Sequence, residues 1–235
     1  MPCRITGVSC RRGSGKTRDK KDDLDGQQPH WEASFANKPD MFGEAASDPA
    51  YVSASLFALE RKVALLELGA GQGRDTLFFA ERGFRVTALD YSRAAVDAIA
   101  AKAHARGLGN RVITFQHDVR QPLPFASETF DACYSHMLYS MALTTPEIER
   151  LSAEIRRVLA PGGLNVYTVR HTRDAHYRSG IHKGDDMYDV GGFIVHFFTR
   201  DKVERLAEDW GLLAIDEFEE GGLPRRLFRV TLRKS

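Results

Sequence analysis

A glycine-rich turn flanked by acidic residues is the strongest chemical signal in this sequence. The turn reads ELGAGQGRD from Glu67 to Asp75, and Asp90 ends the next apolar run, seventeen residues after Gly73. Glycines let the backbone approach a ligand closely, and a carboxylate at the end of a strand can accept hydrogen bonds from both hydroxyls of a ribose. The spacing therefore predicts a site for an adenosine-containing cofactor.

Two kinds of adenosine cofactor compete for this turn. A dinucleotide-binding turn reads G-x-G-x-x-G/A, whereas the sixth position here is Arg74, which is too large for close helix packing. Glu67 would repel the pyrophosphate of NAD but attract a cation. S-adenosylmethionine carries a positive sulfonium and a positive α-amino group, so the charges favour it over NAD. An NAD-linked oxidoreductase is kept as the remote alternative.

Short apolar runs alternate with longer amphipathic ones, and this alternation predicts the elements that position the turn. Val63–Leu68 is an almost unbroken apolar run, which is typical of a parallel strand buried on both faces. Alternation of strands and helices predicts a doubly wound α/β sheet. The other predicted strands are 85–89, 111–116, 130–135, 164–169 and an antiparallel hairpin of 212–218 and 226–233, and the predicted helices are 48–60 with Asp48 as N-cap, 74–82, 92–106, one from Pro146 to before Pro161, and 200–210.

Three segments stand apart from this alternation. Residues 1–28 are dense in charge and poor in apolar side chains, so we expect a disordered or loose N-terminal arm. The Gly15-Lys16-Thr17 sequence in that arm lacks the flanking strand and helix that a phosphate loop needs. Residues 29–235 form one predicted domain, in which 29–60 is expected to act as an N-terminal lid or cap and 171–198 as an insert on the substrate side.

The composition excludes several other classes of protein. The 235 residues are 43% hydrophobic and 28% charged with a net charge of +1, so no global charge favours nucleic acid or a membrane surface. No apolar run approaches the roughly 18 residues that a membrane helix needs. The three cysteines include no CxxC pair, which favours a reduced, cytoplasmic protein without a metal site. We expect a monomer or a homodimer, with Cys133 buried in a strand.

Four segments together resemble the motifs of class I S-adenosylmethionine-dependent methyltransferases. They are ELGAGQGRDT (67–76), ALDYS (88–92), HDVRQPLPF (117–125) with FDACYSHMLY (130–139), and RRVLAPGGLNVYTV (156–169). The stretch from the glycine turn through ALDYS is also similar to small-molecule members such as the tellurite-resistance methyltransferases. The resemblance implies a Rossmann-like methyltransferase fold with seven strands in the order 3-2-1-4-5-7-6, of which strand 7 is antiparallel.

The resemblance also implies roles for individual residues around S-adenosylmethionine and its product S-adenosylhomocysteine. For the acid at position 118 a loop cap is the alternative role, and for the aromatic residue at position 31 the alternative is packing on the core. The implied cofactor-binding residues are Glu67, Gly69, Ala70, Gly71 and Gly73 at the methionine part, Asp90 at the ribose, Tyr91, Asp118 and Val119 at the adenine, His136 in the transfer cleft, and Trp31, Met41 and Phe42 in the lid.

Methyl transfer needs a base only when the acceptor carries a proton. His136 and His171 follow adjacent predicted strands, so we expect both to face one cleft, where a histidine can act as general base. Together with Tyr139 they are the predicted catalytic residues. A second group of candidates comprises Tyr134, Arg170, Asp174, His176 and His196, whereas the pair Arg225-Arg226 is predicted to be solvated surface.

A small molecule is the predicted acceptor. The chain has no basic stripe with interleaved aromatic residues, and Ser135-His136-Met137-Leu138 stands where enzymes that methylate nucleic-acid amino groups carry Asn/Asp-Pro-Pro-Tyr/Phe. The predicted pocket is rich in His, Met and Tyr, which favours a small thiol or a selenium or tellurium species. A natural-product amine or phenol, a protein and RNA are the alternatives, because the fold alone does not fix the substrate.

Overall fold

A computed structural model describes residues 25–221 and 225–235 of the chain. Within these residues, no helix is long and apolar enough to cross a membrane. The described helices are α1 (Gln27–Asn37), α2 (Asp48–Leu59), α3 (Arg74–Glu81), α4 (Arg93–Ala105), α5 (Thr145–Val158) and α6 (Arg200–Leu206). The described strands are β1 (Ala64–Leu68), β2 (Arg85–Asp90), β3 (Val112–Gln116), β4 (Phe130–His136), β5 (Leu159–His171), β6 (Ile181–Gly184), β7 (Met187–Val190), β8 (Phe193–Phe198), β9 (Gly211–Glu220) and β10 (Arg225–Arg233).

The parallel strands stand in the order β3-β2-β1-β4-β5, and β10 lies antiparallel between β5 and β9. This is the predicted order 3-2-1-4-5-7-6 with its antiparallel seventh strand, so the predicted fold class is confirmed. Leu65 of β1 pairs with Val86 of β2 on one side and with Ala132 of β4 on the other. The chain order therefore reverses at β1, which is where open α/β sheets bind ligands.

The hydrophobic core lies on both faces of the sheet, as the apolar run in β1 predicts. Leu66 belongs to a buried cluster that includes Ile155 of α5, whereas Leu65 belongs to a second cluster that includes Phe79 of α3. Successive residues of a strand point to opposite faces, so β1 contributes to both clusters. Cys133 is fully buried in β4, as predicted.

Most of the predicted N-terminal arm, including Gly15-Lys16-Thr17, lies outside the described residues. Its last residues were predicted wrongly, because Gln27 and Gln28 form the first turn of α1. The side chain of Gln28 donates to the carbonyl of Tyr91 at 3.0 Å, and Gln27 bonds backbone groups at the start of β8. These hydrogen bonds give the two polar residues partners far along the chain, which the composition of the segment does not reveal.

Helix α2 starts as predicted, but with a different cap. Ser47, rather than Asp48, is the N-cap, and its hydroxyl accepts a hydrogen bond from the N–H of Ala50. Asp48 lies in the first turn, where a carboxylate interacts favourably with the helix dipole. Pro49 occupies the first turn, where its missing N–H costs nothing.

Residues 171–198 contain three strands that were not predicted. Strands β6, β7 and β8 form an antiparallel meander, and β8 joins the end of β5 through the pairs Arg170↔Phe197 and His171↔Phe198. Among the described residues, the connected sheet thus has ten strands rather than the seven predicted. The meander stands beside the carboxyl end of β5, where it can contribute a wall to a site at that edge.

Candidate functional site

A cavity of about 370 Å³ opens at the carboxyl ends of β1 to β5. The glycine turn and the residues after β2 and β3 line one end of it. Residues that follow β4 and β5, together with the β6–β8 meander, line the other. The roof segment, defined here as residues 27–43, contributes Gln27, Trp31, Phe35, Met41, Phe42 and Gly43 to the lining.

The glycine turn after β1 has the backbone geometry that its glycines predict. Gly69 and Gly71 have φ of +66° and +53°, and a Cβ on Gly69 would meet the Leu138 side chain at 2.9 Å. Gly73 also has a positive φ, but it does not line the cavity; a Cβ there would meet Ile99 at 2.7 Å. Its predicted role in cofactor binding is therefore corrected to close packing of α3 against α4.

Asp90 holds the glycine turn by hydrogen bonds and has acceptor positions left for a ligand. Its two carboxylate oxygens accept hydrogen bonds from the N–H groups of Gly71 and Ser92, each at 2.9 Å. Burial raises the pKa of Asp90 to about 6, although these two hydrogen bonds oppose the rise. An ionised carboxylate has about four lone-pair sites, so two remain for the hydroxyls of a ribose.

Glu67 is buried at the floor of the same end of the cavity. The Thr76 hydroxyl donates to its carboxylate at 2.6 Å. Burial, and then the nearby charge of Asp75, raise the pKa of Glu67 well above its usual range. A positive group in the cavity would offset this cost, because an opposite charge favours the ionised form. The buried carboxylate of Glu67 thus fits a cationic amino group better than a phosphate.

The predicted adenine-binding residues Tyr91, Asp118 and Val119 all line the cavity. The Asp118 carboxylate also accepts hydrogen bonds from the backbone N–H and the guanidinium of Arg120. Burial opposes ionisation of Asp118, but the bonds from Arg120 outweigh it and lower the pKa of the carboxyl. The residue therefore caps its loop, the alternative role that the sequence left open, while it faces the cavity.

The roof segment is fastened to the glycine turn by Gln72. The Gln72 side chain donates to the carbonyls of Phe35 and Lys38 at 3.2 and 2.7 Å and accepts from the N–H of Met41 at 3.0 Å. A glutamine inside a glycine turn gave no signal in the sequence, because its partners lie some thirty residues away.

Trp31 and Phe42 both line the cavity, as the lid prediction requires. The Trp31 ring also stands 4.8 Å from the ring of Phe193, which belongs to β8. The roof segment therefore contacts the glycine turn on one side and the meander on the other. Trp31 thus packs on the meander and belongs to neither of the two buried core clusters, and its role in a lid stays a prediction.

Of the three predicted catalytic residues, only His136 lines the cavity. His171 follows Arg170, and because the pleat alternates, Arg170 faces the cavity whereas the His171 ring packs on Phe228 at 4.2 Å. Tyr139 is buried and stacks on Tyr167 at 4.6 Å. The expectation that His136 and His171 share a cleft was wrong.

The imidazole of His136 lies between two polar side chains. Its Nδ1 is 2.9 Å from the hydroxyl of Thr168, and its Nε2 is 3.4 Å from a carboxylate oxygen of Glu220. The Thr168 hydroxyl also accepts the N–H of Met137, which has an unusual positive φ of +58° just after β4. The ring orientation is thereby fixed at the end of the strand.

Three other residues of the site escaped sequence reasoning. Glu220 gave no signal, and Phe193 lies in the unpredicted meander. Arg225 lines the cavity, which corrects the prediction that this arginine is solvated surface. Within residues 25–221 and 225–235, no group of three or more His, Cys, Asp or Glu side chains could hold a metal ion.

A sheet that reverses its order at a glycine turn, with a buried acid after the next strand, is the arrangement that adenosine-binding α/β domains share. A family model described as a methyltransferase domain matches residues 65–163. The sterol 4-C-methyltransferase strm-1 of Caenorhabditis elegans is 29% identical over 165 residues, which cover 67% of this chain and 47% of that protein. The chain thus spans less than half the length of this curated relative.

Solved structures share the fold over nearly the whole chain. The 1,6-didemethyltoxoflavin-N1-methyltransferase of Burkholderia thailandensis, solved with bound 1,6-didemethyltoxoflavin and S-adenosylhomocysteine, superposes with a TM-score of 0.70 at 21% identity, covering 94% of this chain and 93% of that one. TehB from Haemophilus influenzae gives a TM-score of 0.64 at 17% identity, covering 87% and 67% of the two chains. These findings confirm the predicted resemblance to class I S-adenosylmethionine-dependent methyltransferases: a methyltransferase family model matches residues 65–163, and the solved structures share the fold.

Proposed function

We propose that the chain transfers a methyl group from S-adenosylmethionine to a small-molecule nucleophile. The observation that carries this proposal is the cavity at the chain reversal, where buried Glu67 and Asp90 flank a turn of positive-φ glycines. That arrangement suits a ligand with a cationic amino acid part and a ribose. It suits NAD poorly, because Glu67 would face a pyrophosphate.

The cofactor, when bound, supplies an electrophilic methyl group. The protein's own contribution is alignment and exclusion of water, which can supply most of the rate enhancement in an in-line displacement. Asp90 would hold the ribose, and Glu67 would balance the positive amino group. Trp31 and Phe42 of the roof segment would keep water from the reacting atoms.

His136 is our candidate general base, which would take the proton from a methyl acceptor that loses one. Its protonated ring would have an acceptor for each N–H, because Thr168 lies beside Nδ1 and the Glu220 carboxylate beside Nε2. Charge-assisted hydrogen bonds of this kind stabilise an imidazolium. His171 and Tyr139 are no longer proposed, because neither lines the cavity.

For the acceptor we propose a compact soft nucleophile, a small thiol or a selenium or tellurium species. Met41, Met137 and Met141 line the cavity, and methionine side chains are polarizable. A natural-product amine or phenol is the second candidate, which the aromatic rings of Trp31 and Phe193 favour. Protein and RNA acceptors remain alternatives.

The test is release of S-adenosylhomocysteine from S-adenosylmethionine in the presence of single acceptors. The panel contains small thiols, selenite, tellurite, phenols, amines, a peptide mixture and RNA. We expect turnover with small molecules and none with the peptides or RNA. Binding of NAD but not of S-adenosylhomocysteine in calorimetry would contradict the proposed activity as a whole.

A further inference from the structure

The two ends of the cavity differ in the charged side chains that line them. The acidic residues that line it lie at the ends of the first three strands or in the turn after β1: Glu67, Asp75, Asp90 and Asp118. At this end Arg120 is bound to Asp118, so the two charges cancel. The other arginines that line the cavity are Arg74, Arg170 and Arg225.

Arg170 and Arg225 have acidic partners that do not line the cavity, whereas Arg74 also lies 3.7 Å from Asp75, which does line it. Arg170 donates two hydrogen bonds to Asp174, at 3.0 and 2.5 Å, but only the arginine of this pair lines the cavity. Arg74 and Arg225 both face Glu220, which likewise does not line it. The cavity therefore meets guanidinium groups at this end.

Arg225 retains unused hydrogen-bond donors. Its Nη1 is 3.6 Å from a Glu220 oxygen, and Arg74 Nη2 is 3.7 Å from the other oxygen, so both distances exceed a hydrogen bond. His136 Nε2 faces the same carboxylate. The Glu220 carboxylate is thus shared by Arg74, Arg225 and His136, and Arg74 has Asp75 as a second acidic partner whereas Arg225 has none in the part of the chain that the structure describes. Among the described residues, nothing accepts a hydrogen bond from the Arg225 side chain.

The sheet places Arg170 and Arg225 on one face. Leu227 of β10 pairs with Arg170 of β5 in antiparallel register, and Arg225 precedes Leu227 by two residues. Because residues two apart in a strand share a face, Arg225 points to the same side of the sheet as Arg170. Arg226 points to the opposite side, where it pairs with Glu219 at 3.1 Å.

We propose that the methyl acceptor carries a carboxylate, and that Arg225, supported by Arg170, binds it. This inference rests on the proposed methyl transfer and names the chemical class of its acceptor. The guanidinium group matches a carboxylate with two parallel hydrogen bonds. A cationic cofactor at the acidic end and an anionic acceptor at the basic end are then each attracted to their own half of the cavity. The nucleophile lies between them.

The experiment uses matched probes and the protein loaded with S-adenosylhomocysteine. Binding of 4-hydroxybenzoate and of its neutral analogue 4-hydroxybenzamide, and of 3-mercaptopropionate and 2-mercaptoethanol, is measured by calorimetry and by ligand-observed NMR. We expect each acid to bind about tenfold more tightly than its neutral partner, since a charge-assisted pair is worth more than 1.4 kcal/mol. Arg225→Met should remove the preference.

Arg226→Met is the matched control, because its side chain lies outside the cavity on the same strand. It should keep the preference for acids, and all three proteins should bind S-adenosylhomocysteine equally. Equal affinity for acid and neutral probes, no binding of either acid at millimolar concentration, or a preference that survives Arg225→Met would each overturn the inference. Failure of S-adenosylhomocysteine to bind would instead overturn the proposed function.

Discussion

At the scale of single residues, the two carboxylates at the cofactor end are held in different states. Asp90 accepts two backbone N–H bonds and has a pKa of about 6, so it is ionised at neutral pH. Glu67 is buried beside another acid, and its pKa lies well above the usual range. Asp90 would therefore accept ribose hydroxyls as a carboxylate, whereas burial disfavours ionisation of Glu67 and a cation beside it would favour ionisation.

Binding of S-adenosylhomocysteine should release a proton in the pH range where Glu67 titrates. Its positive amino group beside Glu67 lowers the raised pKa of that carboxyl, which then ionises. Calorimetry in phosphate and in Tris, whose ionisation enthalpies differ, measures the proton count. Glu67→Gln should abolish the difference between the buffers. A wild-type protein whose binding enthalpy is the same in both buffers would contradict this assignment.

Asp90→Ala should weaken S-adenosylhomocysteine binding by about 2 kcal/mol, which is roughly thirtyfold in Kd, because two hydrogen bonds to a charged acceptor are lost. Asp90→Asn keeps one acceptor oxygen and should lose less. The control is Asp97→Ala, which removes an exposed carboxylate that pairs with Arg93 at 3.6 Å. Unchanged affinity in Asp90→Ala would remove this residue from the cofactor site.

At the scale of elements, the roof segment is held at both of its sides. Gln72 makes three hydrogen bonds to its backbone, and the Trp31 ring contacts Phe193 of the meander. Helix α1 itself has little intrinsic stability, because a helix of 11 residues is marginal in isolation. Its order thus depends on these contacts.

Gln72→Ala should loosen the roof segment without unfolding the domain. Three lost hydrogen bonds are each worth about 1 kcal/mol, so amide hydrogen exchange in residues 27–43 should accelerate at least tenfold. Exchange in β1 and β4 should stay unchanged. Gln121→Ala, which alters an exposed glutamine, is the control. Roof-segment exchange equal to that of the wild type would show that other contacts hold the segment.

The same scale shows what the sequence could predict. The parallel strands and the C-terminal hairpin were predictable, because buried strands such as β1 carry long apolar runs and the turns carry glycine and proline. The meander was not, because β6 and β7 are short and polar and gain order from pairing with β8. The sequence also could not predict which of Arg170 and His171 points into the cavity, because the pleat at the end of β5 is fixed by its pairing with β10.

At the scale of the whole molecule, a buried polar cluster joins the meander, α6 and the loop before α5. His196 Nδ1 donates to the carbonyl of Leu143 at 2.7 Å, and the Lys202 amino group donates to His196 Nε2 at 2.6 Å. Asp185 lies 3.4 Å from Lys202 Nζ. Burial, and then the charge of Lys202, lower the pKa of His196 to about 4. The ring is therefore neutral in the folded protein.

The stability of the fold should fall as the pH decreases from about 6.5 to about 4. In this range the unfolded chain protonates His196 whereas the folded protein does not, so unfolding takes up a proton. The loss approaches about 3 kcal/mol. No stability is lost from this source above about pH 6.5, and the full loss is reached below about pH 4.

Urea unfolding at pH 7 and pH 4.5 measures this dependence. His196→Gln should be less stable than the wild type at pH 7, and the stability difference between the two proteins should shrink at pH 4.5. His104→Gln, at an exposed site on α4, should leave the pH dependence unchanged. A difference between wild type and His196→Gln that is the same at both pH values would exclude His196 as its source.

The double attachment of the roof segment has a kinetic consequence. Because one stretch of chain borders the glycine turn and the meander together, we expect the chamber for the second ligand to be complete only after the first has been enclosed. Turnover should then follow an ordered sequential scheme in which S-adenosylmethionine enters first and S-adenosylhomocysteine departs last. The spent cofactor would compete with S-adenosylmethionine alone, and dissociation of the roof would set the upper limit of kcat.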